Sequence, residues 1–188
     1  MEKELITAVA LGIGLSASAG FRVFVPLLIS GIAARLGFIG LDDQFLWLAG
    51  NTALLTLGVA TLVEIGAYYI PVVDNFLDTI TTPLSIGAGT FLLASVLPVD
   101  NELVRWMMGL FVGGGAAAAV QGGTAVLRLG STGTTGGMGN FIVSSGENIA
   151  SVITTVLTLI LPLVMALIIL VSLFFILRFL FRRKRSLS

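Results

Sequence analysis

Seven stretches of the chain carry no charged residue, and together they make up most of its length. They run over residues 5–21, 23–34, 44–63, 79–99, 106–127, 129–146 and 148–177. A helix that crosses a bilayer needs about 20 predominantly apolar residues. Only 11% of the residues are charged, whereas soluble domains carry about 25%. The pattern predicts a helical protein whose outer surface faces lipid, and it argues against a soluble domain or a nucleic-acid binder.

The predicted fold is all-α: a polytopic membrane protein with about six transmembrane helices, the first of them broken. Three stretches each suit a single span, namely residues 44–69, 79–99 and 105–128. The run from Leu5 to Leu36 would make one helix far longer than a bilayer is thick, yet each half is too short for a full span. We therefore expect two half-helices that meet between Gly20 and Pro26.

The C-terminal half raises the same question of length. Asn148 to Leu177 is uncharged, with Pro162 near its middle. Two spans over 141–160 and 162–181, with a turn or kink before Pro162, are predicted here, and a single long kinked helix is the alternative. Residues 129–140, rich in Gly and Thr, are expected to form a surface loop without helix; a segment that folds back into a cavity is the alternative.

Charge is distributed unevenly along the chain, although ten Lys and Arg balance ten Asp and Glu. Five of the cations lie at the C-terminal end: Arg178, Arg182, Arg183, Lys184 and Arg185. We expect one transmembrane domain over 1–181 and a basic cytoplasmic tail over 182–188, in the inner (plasma) membrane. A patch that binds anionic lipid is another interpretation of this tail.

A weak internal similarity divides the chain into two halves, 5–98 and 104–181. Residues 14–22 align with 113–121, and residues 50–51 align with 146–147. Inverted repeats in transporters leave this kind of faint symmetry. Similar composition among helices rich in small residues explains the alignment equally well.

The sequence contains no Cys and no His. This removes disulfides, thiolate nucleophiles, histidine bases and the common zinc and iron–sulfur sites. The Gly-rich stretch also lacks the Gly-Lys-Ser/Thr ending of a phosphate-binding loop. We therefore expect no enzyme, no cofactor and no metal centre.

Arg22 is the strongest candidate for a functional residue. It follows Gly20 and precedes Pro26, in the middle of the broken first segment. A charged side chain at the centre of a membrane helix costs about 2.5–3.5 kcal/mol. Arg22 must therefore pair with an acid or bind an anionic ligand, and Glu64, Asp78 or Glu147 could be the acid.

The remaining candidates are acids and amides near the ends of apolar segments. Glu64 could be an interfacial acid or a proton or cation site. Asp74 and Asp78 share a helix face at i, i+4 spacing, which fits a solvated loop or a cation-attracting mouth. Glu147 could lie in the first turn of a helix capped by Ser144 or Ser145, or be a second buried acid. Three amides complete the ligand or ion-binding set: Gln121, Asn51 and Asn148. Arg35, Arg105 and Arg128 are expected to be interface anchors.

Two stretches resemble a known family. They are Ser16 to Arg22 with Pro26, and Glu64 to Asp78 with Pro83. They resemble a bacterial integral-membrane family catalogued only as a domain of unknown function (number four-one-two-six), over roughly residues 5–160. Arg22, Glu64, Asp74 and Asp78 are the matching positions. The resemblance implies a polytopic membrane protein and no particular activity.

These features favour a small transporter or channel-like permease whose ligand, a small ion or anionic solute, binds near the broken helix. A structural or accessory subunit of a larger membrane complex is the alternative function. The expected partners are membrane lipid and either a second copy of the chain or other subunits, without nucleic acid. A lipid-modifying enzyme would need a metal at Asp74 and Asp78, and two carboxylates make an incomplete metal site.

Overall fold

The computed structural model describes residues 2–136 and 138–185, with side chains except at 71–76, 78, 176–177 and 179–185. The described residues contain helices and no strand. The helices are α1 (Glu2–Ala19), α2 (Phe24–Arg35), α3 (Asn51–Ala67), α4 (Pro71–Val96), α5 (Glu102–Met108), α6 (Gly115–Thr135), α7 (Asn140–Ile160) and α8 (Pro162–Arg185). A 3-10 helix (Asp43–Ala49) precedes α3, and a π-helical segment (Gly109–Gly114) joins α5 to α6.

The first apolar segment breaks where the sequence predicts. α1 ends at Ala19 and α2 begins at Phe24. Pro26 lies in the first turn of α2, where its missing N–H costs no hydrogen bond within the helix. α1 packs on α4, and Ser16 Oγ donates to the Gly89 carbonyl at 2.7 Å. After α2 the chain reaches the C-terminal end of α4, where the Asp42 N–H donates to the Ser95 carbonyl at 2.8 Å.

Two predictions about the helices need correction. Residues 44–69 do not form one straight span, because the 3-10 helix and α3 meet at a bend of 62°. Residues 129–140 are not a loop throughout, because α6 continues to Thr135. The hydroxyls of Thr134 and Thr135 bond back to carbonyls of their own helix, at 2.9 Å to Gly130 and 2.7 Å to Ser131. These bonds give the threonine hydroxyls partners within the helix.

The predicted division before Pro162 is confirmed as a division between helices. Leu161 leaves the helical region with φ −132° and ψ 61°, and Pro162 begins α8. Proline suits the first position of a helix, because the N–H that it lacks would have no partner there.

Helix α7 buries its polar residues and exposes its apolar ones, as expected in an apolar environment. Every one of its buried residues is polar: Ser144, Glu147, Ser151, Thr155 and Thr158. Its exposed residues include the large apolar side chains Ile149, Val152, Ile153, Val156, Leu157 and Ile160. A surface helix of a soluble protein has the opposite arrangement. The helix therefore has the polarity expected when its outer face contacts lipid.

Length and apolar composition agree with this. Among the described residues, three helices are long and apolar enough to cross a bilayer: Thr79–Val96, Glu102–Thr135 and Asn140–Ile160. The bent pair formed by the 3-10 helix and α3 makes a fourth when it is counted as one span. These features indicate an integral membrane protein.

Helix α4 and the π-helical segment approach each other closely through glycine. A Cβ atom added at Gly89 would lie 2.7 Å from the Gly113 carbonyl oxygen and 2.7 Å from the Ala117 Cβ. Real Cβ atoms do not come so close to other atoms. The contact therefore requires glycine, as is common where membrane helices pack.

Gly89→Ala is expected to destabilise the protein by about 1–3 kcal/mol, because the new methyl group would push α4 away from the π-helical segment. Gly87→Ala is the matched control, since a Cβ at Gly87 meets nothing within 4 Å. Thermal unfolding of both variants in the same detergent measures the difference. Equal midpoints for the two variants would show that this contact is not tightly packed.

Candidate functional site

Arg22 lies in the turn between α1 and α2, with 1% of its surface exposed. The turn packs closely against α6, since a Cβ at Gly20 would lie only 2.6 Å from the Ala117 carbonyl oxygen. From there the side chain of Arg22 extends toward α7. Its Nε donates to Asn148 Oδ1 at 2.5 Å, and its Nη2 donates to the Ser144 carbonyl at 3.1 Å.

The carboxylate of Glu147 joins two arginines. Arg22 Nη1 donates to Glu147 Oε2 at 2.8 Å. Arg128 Nε donates to Glu147 Oε1 at 3.0 Å, and Arg128 Nη2 contacts Oε2. Arg128 is 3% exposed and Glu147 is 5% exposed. Because these charges lie out of reach of water, their mutual contacts must offset a large desolvation cost.

Tyr68 stacks against both guanidinium groups. The Cζ of Arg22 lies 3.9 Å from the centroid of the Tyr68 ring, and the Cζ of Arg128 lies 4.2 Å from it. Cation–π contacts of this kind gain strength where the groups are desolvated. We call Arg22, Tyr68, Arg128, Glu147 and Asn148 the arginine cluster.

The helices explain why these residues meet. Ser144, Glu147 and Asn148 lie at i, i+3 and i+4 on α7 and therefore share one face. Arg128 lies within α6, which packs on α7. Tyr68 follows the last residue of α3, and it is buried.

Glu64 lies in the last turn of α3 and binds the broken helix through its backbone. Its Oε1 accepts from the Val23 N–H at 2.7 Å, and its Oε2 accepts from the Phe24 N–H at 3.0 Å. The first N–H groups of a helix have no partner within the helix, and a carboxylate at this end also meets the positive end of the helix dipole. Glu64 thus fixes the start of α2 directly beside Arg22.

A chain of polar contacts links the arginine cluster to the surface. Asn148 Nδ2 donates to the Tyr69 hydroxyl at 3.2 Å, and this hydroxyl lies 3.1 Å from Ser145 Oγ. Tyr69 is 38% exposed, and its ring packs on Phe141 with centroids 4.9 Å apart. Polar groups therefore continue from partly exposed Tyr69 through Asn148 to Arg22.

A cavity of about 540 Å³ lies beside the cluster, between α2, α3 and α4. Its walls are mostly apolar, and Glu64, Thr56 and Thr81 are the polar residues that line it. Its volume is in the range of small-molecule sites, which combine apolar walls with a few polar groups.

Four other predicted candidates are not part of the arginine cluster as described: Gln121, Asn51, Asp74 and Asp78. Gln121 is buried and donates from Nε2 to Thr81 Oγ1 at 3.2 Å. Asn51 is exposed at the first position of α3, unlike buried Glu147, its proposed equivalent in the internal similarity. Asp74 and Asp78 lie in the first turns of α4, and their side chains are outside the described part of the structure. The described side chains form no group of three or more acids that could hold a metal ion.

Two interpretations of charged residues change. Glu147 does not lie in a capped first turn, because α7 already begins at Asn140. Arg105 is buried rather than an interface anchor. Its Nη1 and Nη2 lie 2.7 and 2.6 Å from the two carboxylate oxygens of Asp42, and Nη2 also donates to the Val99 carbonyl at 2.6 Å. This second ion pair lies near the C-terminal end of α4, away from Arg22.

Arg128 and Tyr68 were not among the site residues predicted from the sequence. Arg128 was expected to be an interface anchor at the end of the predicted span over residues 105–128. Tyr68 carries no distinguishing signal, because tyrosines near the ends of apolar segments usually mark the membrane interface. A prediction that the helix continues to residue 135 would have placed Arg128 within a transmembrane span and so marked it as a candidate.

Comparison with known proteins identifies the family. No curated protein and no solved structure matches the chain. One family model matches residues 9–182, and the match extends through most of α8, further than the resemblance of the N-terminal motifs indicated. The chain therefore belongs to the family described as Domain of unknown function (DUF4126).

Proposed function

We propose that this protein is a small membrane permease whose solute binds at the arginine cluster. The observation that carries the proposal is the burial of three charged side chains, Arg22, Arg128 and Glu147, where the first helix is broken. Ionisable residues within a membrane are costly and commonly mark ion or substrate pathways. Broken helices in membranes survive where they are covered by protein or line a cavity.

Access to the cluster supports the same function. The polar contacts from Tyr69 through Asn148 offer a route from the surface to Arg22. The cavity beside Glu64 offers a second space directly next to the turn that holds Arg22.

The proposal places the chain in the inner membrane with about six spans and a cytoplasmic C-terminus. The cluster of Lys and Arg at the C-terminal end supports this orientation. Two related halves, 5–98 and 104–181, would place the solute between them, as in transporters with internal repeats.

One observation favours an accessory subunit of a membrane complex as a second function. Arg22 finds four acceptors within its own chain: Asn148 Oδ1, the carbonyl oxygens of Phe21 and Ser144, and Glu147 Oε2. A network that is satisfied in this way can serve to hold helices together. In that function the cluster is structural, and the partner would cover the exposed apolar helices.

Arg22→Gln is expected to abolish solute flux, whereas Arg105→Gln is expected to retain it. Both changes remove a buried guanidinium group from an ion pair, so they are closely matched in kind. Purified protein in liposomes is tested with an internal pH indicator and with potassium, chloride and formate gradients. Thermal unfolding of both variants checks that each is folded.

Two outcomes would contradict the permease. One is equal flux in the two folded variants. The other is no flux of any tested ion in the unmodified protein, together with a stoichiometric membrane partner that co-purifies in mild detergent. The second outcome would support the accessory function.

A further inference from the structure

We infer that α1 and α2 form a re-entrant hairpin, which enters and leaves the membrane on one face and turns around Arg22 inside it. That face is the one at which α4 ends, and we call it the α4-end face. A second part of the inference rests on the proposed permease and deepens it: the solute reaches the arginine cluster from the opposite face.

Helix α1 runs antiparallel to α4. A Cβ at Gly12 would lie 2.9 Å from the Leu93 side chain. One turn later in α1, Ser16 Oγ donates to the carbonyl oxygen of Gly89, which lies one turn earlier in α4. This register places the N-terminal end of α1 beside the C-terminal end of α4.

Helix α2 leads the chain back to the same end of α4. The Asp42 N–H, beyond the end of α2, donates to the Ser95 carbonyl at 2.8 Å. Leu27 in α2 and Leu41 after it both pack against the apolar core that α1 and α4 form. The chain therefore runs along α4 in one direction through α1 and returns along it after the turn.

Neither helix of this pair is long enough to cross a bilayer, and the lengths of antiparallel helices do not add. From Leu5 to Ala19, α1 rises about 21 Å, whereas the hydrocarbon core is about 30 Å thick. The 12 residues of α2 rise about 18 Å. The 34 residues of Glu102–Thr135, by contrast, rise about 50 Å. The turn between α1 and α2 therefore ends inside the membrane.

The turn meets the conditions for irregular backbone inside a membrane. Every residue from Ala10 to Ala19 is buried, so the inner half of α1 is covered by protein. The N–H groups of residues 20–22 donate to carbonyl oxygens at the end of α1, and those of residues 23 and 24 donate to the Glu64 carboxylate. Non-helical backbone at this depth is tolerated only where protein or a water-filled cavity surrounds it. The N–H groups of the tip thus find their acceptors within the protein.

The hairpin decides from which face a solute reaches Arg22. Toward the α4-end face, Arg22 is covered by the buried part of α1. Toward the opposite face, partly exposed Tyr69 lies just before the start of α4 and is linked through Asn148 to Arg22. The solute would therefore enter from the face that carries Tyr69. In this arrangement the first apolar segment, counted among the proposed spans, makes no crossing.

Cysteine labelling of the full chain in sealed membrane vesicles of both orientations tests the hairpin. The sequence contains no Cys, so each introduced thiol is the only one. Lys3→Cys lies at the start of α1, Phe38→Cys follows α2, Asp100→Cys marks the α4-end face and Gly133→Cys marks the opposite face; all four positions are exposed. We expect an impermeant thiol blocker to abolish later labelling of the first three variants from one face, and of Gly133→Cys only from the other.

A broken first helix that crosses the membrane would place Lys3 and Phe38 on opposite faces, and this result would overturn the inference. Protection of Phe38→Cys from the same face as Gly133→Cys would overturn it too. Asp43→Cys, at another exposed position after α2, replaces Phe38→Cys if that variant does not insert.

Reaction of Asn148→Cys with a small charged thiosulfonate tests the route to the arginine cluster. We expect reaction only from the face of Gly133, and reaction from the face of Asp100, or from neither face, would overturn the route. Ser145→Cys serves the same purpose if Asn148→Cys does not fold. Flux with Lys3 and Phe38 on opposite faces would contradict the hairpin and leave the permease standing. A shared face without flux would contradict the permease and leave the hairpin standing.

Discussion

Replacing Glu147 by alanine is expected to destabilise the protein by about 3–5 kcal/mol, which is the range for removal of one partner from a buried ion pair. The change would leave Arg22 and Arg128 buried without the carboxylate that joins them. It would also leave a void on the inner face of α7. Reversible unfolding in mixed detergent micelles measures the free energy of unfolding.

Glu102→Ala is the control for this experiment, because Glu102 is an exposed acid on α5. Its loss should cost less than about 1 kcal/mol, because even exposed charges that form ion pairs contribute no more than this. Combining Glu147→Ala with Arg22→Gln should cost less than the sum of the two single changes, because both remove the same interaction. A cost for Glu147→Ala that is as small as that for Glu102→Ala would mean that the cluster is not buried in solution.

The second large effect is expected on the outer face of α7. Ile153→Lys should destabilise the membrane-inserted protein by about 2.5–3.5 kcal/mol, because it places a charge on a face that contacts lipid. Ile153 is 51% exposed, and in a soluble protein a lysine at such a position would change stability little. Membrane extraction and unfolding in micelles report insertion and stability respectively.

Phe38→Lys is the control, since Phe38 is 77% exposed and lies between α2 and the 3-10 helix, outside the apolar helices. A lysine there should be tolerated at the membrane interface. If lysine at Ile153 proved as harmless as lysine at Phe38, the outer face of α7 would not lie in lipid.

Arg22 could be identified from the sequence because a charged side chain inside a membrane helix is energetically costly. A lone cation between Gly20 and Pro26, far from other charges, has few places to go. The break between α1 and α2 followed from length alone, and Glu147 was one of three acids named as a partner. The energetic cost of an isolated charge in a membrane therefore pointed to the centre of the candidate site.

The rest of the site depends on helix ends and on packing, which the sequence does not determine. Arg128 joins Glu147 from within α6, which continues through a Thr-rich stretch whose hydroxyls bond to their own helix. The pairing of Arg105 with Asp42 depends on the path of the chain after α2, where Asp42 reaches the end of α4. Contacts between residues that are distant in the chain cannot be derived from local patterns.

The π-helical segment has a consequence for how the long helix over residues 102–135 could vary among relatives. A Cβ at Gly109 would lie 2.7 Å from the Thr90 carbonyl oxygen, and one at Gly114 would lie 2.8 Å from Thr90 Oγ1. An α-helix turns by about 100° per residue and would point these two glycines about 140° apart. The wider π turn bonds residues five apart, so both glycines meet the same threonine. In a chain with one residue fewer here, a regular α-helix would place the two glycines four residues apart and about 40° apart around its axis, so both could still face the threonine. The π turn therefore accommodates one additional residue without loss of this contact.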